Sequence, residues 1–157
     1  MPQRNIALYV SSSAVTPELR AQIQQNFDTA PSAGGTSHRP GYIELVPDSD
    51  GWSVGMSPEN IHRKHSEDYV PRYPRKPVVI MDERTAQDRS VLVVAPILDA
   101  DTDQFKHMEL RFVPSRVPDA AMNLEIGNQT LEEYASHVDE DGIFRWFKGS
   151  TVPNPDA

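Results

Sequence analysis

Apolar residues recur along the chain with a period of two in some stretches and near four in others, and the changes of period mark its elements. Ile6 to Val10 is apolar throughout and lies between Asn5 and the Ser11-Ser12-Ser13 turn, which predicts a strand. Thr16 then caps a helix, with Pro17 at its first position and Glu18 in its first turn. Leu19, Ile23 and Phe27 follow at four-residue spacing and should cover the core, leaving Arg20, Gln24 and Asp28 to water. Residues 29–40 have no hydrophobic period and predict an exposed loop. A second strand is expected over Tyr42 to Val46, with Ile43 and Leu45 on one face and Glu44 on the other, and the run PDSDGW after it is turn chemistry. Ser57-Pro58-Glu59-Asn60 opens a short helix ending near His65, and the prolines at 71, 74 and 77 interrupt any regular element between Val70 and Lys76.

The later half is richer in strands. Val78 to Met81 and Val91 to Ala95 are β-branched, uncharged and without alternation, so burial on both faces is expected. His107 to Val113 alternates, with Met108, Leu110 and Phe112 on one face and a largely solvated opposite face. A short helical segment near Pro118–Met122 precedes Thr130-Leu131-Glu132-Glu133, a capping box in sequence, with Leu131, Tyr134, Ala135 and Val138 at helical spacing behind it. Asp139 to Gly142 stops that helix, and Ile143 to Phe147 reads as a last strand or an aromatic hook. These elements predict a single α+β domain over residues 1–149, with a central mixed or mainly antiparallel sheet and about three helices, followed by a disordered tail at 150–157.

Composition narrows the function. The 157 residues contain no cysteine, which removes disulfides, thiolate metal sites and a cysteine nucleophile, and no apolar run is long enough to span a membrane. The N-terminus lacks a signal-peptide core, so a cytoplasmic protein is expected. Residues 1–77 are neutral overall, and residues 78–157 carry the whole formal charge of -8. That asymmetry disfavours nucleic acid as a partner and suits a basic protein surface.

The pieces PVVIMDERT, SVLVVAP, LRFVPSRV, NLEIGNQTLEEYASHV and DEDGIFRWF, spread over residues 77–147, resemble a family of small bacterial and fungal domains of unknown function. The matching positions are Asp82, Arg111, Phe112, Pro114, Ser115, Asn123, Asn128, Glu132, Glu133, Asp141, Gly142, Phe144 and Arg145, and residues 1–76 match weakly. The resemblance implies a shared fold and carries no reaction with it.

Two groups of residues have the chemistry of a site. His62 and His65 are three apart on a predicted helix, so they share a face and can form an acid–base pair, with Tyr69, Arg72, Tyr73 and Trp52 as a lining for substrate. The plain alternative for this segment is a solvated, positively charged helix end whose histidines titrate normally. Asp82 and Glu83 stand at the end of a buried strand, where sheets expose functional groups, and either is a candidate general base with Arg111 or Arg145 to hold an anion. A structural ion pair of Arg111 with Asp82 or Glu109 is the competing reading. Asp99, Asp101 and Asp103 have the spacing of a calcium loop but lack its glycine and its terminal glutamate, so no metal is expected there. No nucleotide loop, and so no cofactor, is predicted.

Taken together, the sequence predicts a non-catalytic binding or regulatory domain, immunity-like in kind, docking a protein partner through its acidic surface. The alternative is a small cofactor-independent enzyme of the isomerase or cyclase type, acting on a small organic molecule by histidine and carboxylate proton transfer.

Overall fold

Six strands carry most of the apolar runs, and the computed structural model of the chain, which describes residues 4–31, 39–68, 72, 73 and 76–154, assembles them into one mixed sheet. In chain order the elements are β1 (Ile6–Val10), α1 (Pro17–Asp28), β2 (Ile43–Leu45), α2 (Asp50–Ser53), α3 (Pro58–Glu67), β3 (Val78–Met81), α4 (Glu83–Asp88), β4 (Val91–Asp99), β5 (Gln104–Phe112), α5 (Val117–Glu125), α6 (Leu131–Ala135) and β6 (Ile143–Phe144). The strand order is β2-β1-β3-β4-β5-β6. β1 runs parallel to both β2 and β3, β3–β4 and β4–β5 are antiparallel, and β6 returns parallel to β5. The chain is therefore an α+β domain around a mixed sheet, as its periodicities predict.

Alternation along the strands divides the interior in two. Ile6, Leu8 and Val10 of β1, Val79 and Met81 of β3, and Val91, Val93 and Ala95 of β4 face α1, α5 and α6. Ala7 and Tyr9, Val78 and Ile80, and Leu92 and Val94 face the other way, onto Ile61 of α3, with Trp52 of α2 packed beside them. Both faces of β1 and β3 are covered, which is why these strands read as unbroken apolar runs. On the first face Tyr134 meets Phe112 and Phe144 edge-on and those two rings are tilted to each other, with centroids 5.0 to 5.4 Å apart.

Local signals account for most element boundaries. Thr16 and Ser57 accept hydrogen bonds from the amides of Leu19 and Asn60, and each is followed by a proline at the first helical position. The Thr130 hydroxyl caps α6 through the Glu133 amide, while the return bond from the Glu133 carboxylate, expected of a capping box, is not made. Gly142 has φ +80° and turns the chain into β6.

Several boundaries differ from the sequence reading. Residues 50–52 of the expected turn form one helical turn together with Ser53, and a short helix, α4, follows β3 directly, capped reciprocally by Asp82 and Thr85. β4 and β5 also run further than their apolar cores, pairing as far out as Asp99 with Gln104. β3 stops pairing with β4 at Val94 and β6 touches β5 only at Arg111 and Phe112, so the outer part of the β4–β5 pair projects as a two-stranded ribbon. Most of the loop expected at 29–40 and the last three residues of the expected tail lie outside the described residues. Within that tail, Val152 accepts a hydrogen bond from the Trp146 indole.

Candidate functional site

α3 carries one large apolar side chain, Ile61, and its burial fixes the rotation of the helix. His62 and His65 flank Ile61 on the inward side and are carried beneath the sheet with it, 4% and 3% exposed. The expectation of a solvated helix end is thereby corrected. The Nδ1 of His65 lies 2.7 Å from the Tyr9 hydroxyl, and the two rings meet edge-on. Tyr9 packs against Trp52 at 5.2 Å between centroids, and the Lys64 ammonium lies 5.1 Å over the same indole. Burial, reinforced by the neighbouring Tyr73 and Asp68, pushes the Tyr9 phenol well above its ordinary value, so it stays protonated beside the imidazole.

His62 has a different partner. Its Nδ1 lies 2.8 Å from Nε2 of His107, with the two rings nearly perpendicular. Burial, and then the proximity of His107 and His65, hold His62 down to about 4, against a weaker opposing effect of the Lys76 backbone. His62 is therefore neutral at physiological pH. The bond between the rings then uses one N–H donor and one lone pair. His107 itself is exposed on β5, and its Nδ1 makes no hydrogen bond to any described residue.

Strand alternation supplies the surroundings of His107. Phe105, His107, Glu109 and Arg111 share one face of β5, opposite Leu98, Pro96, Val94 and Leu92 of β4. Glu109 is exposed and stands about 7 Å along the strand from His107, within reach of the same small molecule. The sequence reading gives neither residue a role at a site and takes Glu109 only as a possible ion-pair partner of Arg111. A histidine and a glutamate at alternate positions on the same strand face was the available signal, hidden by treating that face as plain solvated surface.

The carboxylates singled out from sequence lie elsewhere. Arg111 is ion-paired with Asp82 and also donates to the Ser90 hydroxyl at 3.2 Å. Asp82 further accepts from the Thr85 amide as the cap of α4. His107 and Arg111 are four residues apart on β5, about 13 Å, so the structure does not bring Asp82 to the histidines. Glu83 is exposed in the first turn of α4. Arg145 is held by Asp139 at 2.7 Å and by both oxygens of Asp141 at 2.7 and 3.0 Å, which lowers Asp141 to about 2. Arg72 pairs with Glu44 at 3.0 Å, and Tyr73 is 2% exposed among the apolar side chains on the α3 side of the sheet. Tyr69 lies outside the described residues.

Among the described residues no three histidine, aspartate or glutamate side chains converge to hold a metal ion, and no helix is long and apolar enough to cross a membrane. What the arrangement offers is proton handling: a buried neutral imidazole bonded to an exposed one, with a carboxylate two residues along the same strand face.

No curated protein and no solved structure matches the chain. A family model, that of the domain of unknown function DUF6924, matches residues 17–147. The match takes in α1, β2 and α3 as well as the later half, so the likeness extends well beyond the segment at 77–147 that carries the sequence resemblance. With most of its length covered, from the first helix to the aromatic end of the sheet, the chain belongs to the DUF6924 family.

Proposed function

We propose that this domain is a small cofactor-independent enzyme of the proton-transfer type, an isomerase or cyclase, working at His107 and Glu109 with His62 behind them. The observation that carries this reading is the bond between buried, neutral His62 and solvent-exposed His107. It fixes the plane of the outer ring and leaves Nδ1 directed away from the helix as the nitrogen that meets substrate. In the proposed reaction His107 Nδ1 removes a proton from one atom of a small carbonyl compound, and the bonding electrons stay on the substrate as an enolate. The His107 imidazolium so formed returns a proton to a second atom, while the Glu109 carboxylate accepts a hydrogen bond from a substrate hydroxyl. The sum is an isomerisation with no oxidant or reductant. Tyr9 and His65 act as positioning residues, tying α3 to β1 so that His62 stays in register with β5.

Exchange with solvent deuterium tests the reading. Wild-type protein is incubated in D2O with a panel of small hydroxyketones, keto acids and aldoses, and label uptake is followed by NMR. At least one compound should exchange faster than in buffer alone, and His107→Gln and Glu109→Gln should each lower that rate by about 100-fold or more. Buffer-level exchange for every compound, or a fully active His107→Gln variant, overturns it.

One observation favours a second reading, in which the domain docks on a protein. Leu98 and Phe105 are cross-strand neighbours on the projecting ribbon and are 55% and 73% exposed. An apolar pair at the end of an acidic ribbon suits a basic partner with an apolar centre. Phe105→Ser should abolish capture of such a partner, and binding should weaken as salt rises. Capture that ignores both changes counts against docking there.

A further inference from the structure

On the opposite side of the sheet from the histidines, α5, α6 and the chain after β6 enclose a cleft of about 470 Å³, a size that holds one small organic molecule. Its walls differ in character. Trp146 and Phe147 form an aromatic side, their rings meeting edge-on 5.8 Å apart, with the guanidinium of buried Arg116 stacked 5.0 Å from the indole. The other side is built of carboxamides whose positions are fixed by bonds among themselves. Asn123 Nδ2 donates to Gln129 Oε1 at 2.9 Å and to the Tyr134 hydroxyl at 3.0 Å. Tyr134 in turn donates to Gln129 Oε1 at 2.5 Å, and Asn128 Nδ2 donates to Asn123 Oδ1 at 3.1 Å.

That network leaves two groups over. The Gln129 Nε2 donors and the Asn128 Oδ1 acceptor have no protein partner among the described residues, and both residues line the cleft. The cleft thus presents a donor and an acceptor on a rigid amide wall facing an aromatic one. Its charged residues are one arginine and one aspartate, Arg116 and Asp119, so it has no net charge with which to select a phosphate, a dicarboxylate or a cation. A hydroxyl both donates and accepts, and a saturated ring offers an apolar C–H face to an indole or phenyl ring.

We infer that this cleft binds a neutral, hydroxyl-rich ring, a single sugar unit, with its hydroxyls on Asn128 and Gln129 and its apolar face against Trp146 and Phe147. Nothing in this rests on the proton-transfer chemistry of the other face.

Titration followed by heteronuclear NMR tests it, using glucose, galactose, mannose and N-acetylglucosamine at millimolar concentration, with uridine and glutamate as controls. At least one sugar should shift the side-chain amide signals of Asn128 and Gln129 and the indole signal of Trp146, leaving His62 and His107 unmoved. Asn128→Ala removes an exposed side chain whose one protein bond among the described residues is to Asn123 Oδ1, so it should fold as the wild type and weaken binding about tenfold. Gln129→Leu should do the same, and a thermal melt of each variant separates lost binding from lost folding. Four sugars without effect overturn the proposal. So do shifts produced by uridine or glutamate but not by sugars, or sugar binding unchanged in folded Asn128→Ala.

Discussion

Acidification should strip stability from this protein through the His62 imidazole before Asp88, Asp99 and Asp141 contribute. His62 titrates at about 4 in the folded chain, against an ordinary 6.5. The unfolded chain therefore takes up this proton at a higher pH than the folded one, and stability is complete above the ordinary value and falls as pH descends towards 4. The full gap is equivalent to about 3 kcal/mol, of which about 2.5 kcal/mol has gone by a pH of about 4.5. Asp88, Asp99 and Asp141 are all held below the ordinary carboxylate value of 3.8, so the stability they confer is present above that value and lost only below it. The two windows barely overlap. Urea unfolding followed by far-ultraviolet circular dichroism, at steps from a pH of about 7.5 to about 4.5, measures the effect. His62→Gln keeps an amide to meet His107 but cannot charge, so its stability should be nearly flat across the range in which the wild type declines. Parallel curves for wild type and variant at every pH would show that the fold does not hold His62 neutral.

Other outcomes follow from the packing and the ion pairs. Arg111→Met strands the partly buried Asp82 carboxylate and should cost about 3 kcal/mol in urea unfolding, and a cycle with Asp82→Asn should recover part of it. Phe112→Ala removes a ring with 0% exposure that touches both Tyr134 and Phe144, and should cost about 3 to 5 kcal/mol by the same measurement. Gly142→Ala meets no atom within 4 Å but forces a side chain to φ +80°, so a loss of about 1 kcal/mol in thermal unfolding is expected from backbone strain alone. Phe105→Ser changes a side chain that is 73% exposed and should leave the melting temperature unaltered, within about 0.5 kcal/mol.

The parts of the fold legible in sequence are those where local chemistry and burial agree. Thr16-Pro17 and Ser57-Pro58 start their helices because cap and proline act within one turn. Val78–Met81 reads as a buried strand because both its faces are covered. Reading failed where tertiary contact overrode the pattern. Pro96 looks like the end of β4, yet the strand continues past it because β3 no longer pairs there and the missing amide leaves no ladder bond unmade. α4 carries a cap and its reciprocal partner in Asp82-x-x-Thr85, but a helix of six residues has no apolar period to display. For the site, the spacing of His62 and His65 was legible but their burial was not, because α3 is polar around a single isoleucine. His107 reaches His62 only through the β4–β5 register, a long-range contact that no local pattern encodes.

The parallel return of β6 alongside β5 gives the chain an order of assembly. β4 and β5 are joined by a tight turn and can zip locally, whereas β6 must wait until α5 and α6 have carried the chain back across the sheet. The pairing that this return makes is only two residues long, so of the strand pairings it repays the entropy of loop closure least. Trp146, just beyond β6, should accordingly be the last aromatic to reach its native environment, after Trp52 on the opposite side. In stopped-flow refolding of Trp52→Phe, the remaining indole signal should lag behind backbone circular dichroism. The carboxamide cleft would then come into being only with the final step, so a ligand seated there would hold the finished chain closed and slow its unfolding without hastening its folding.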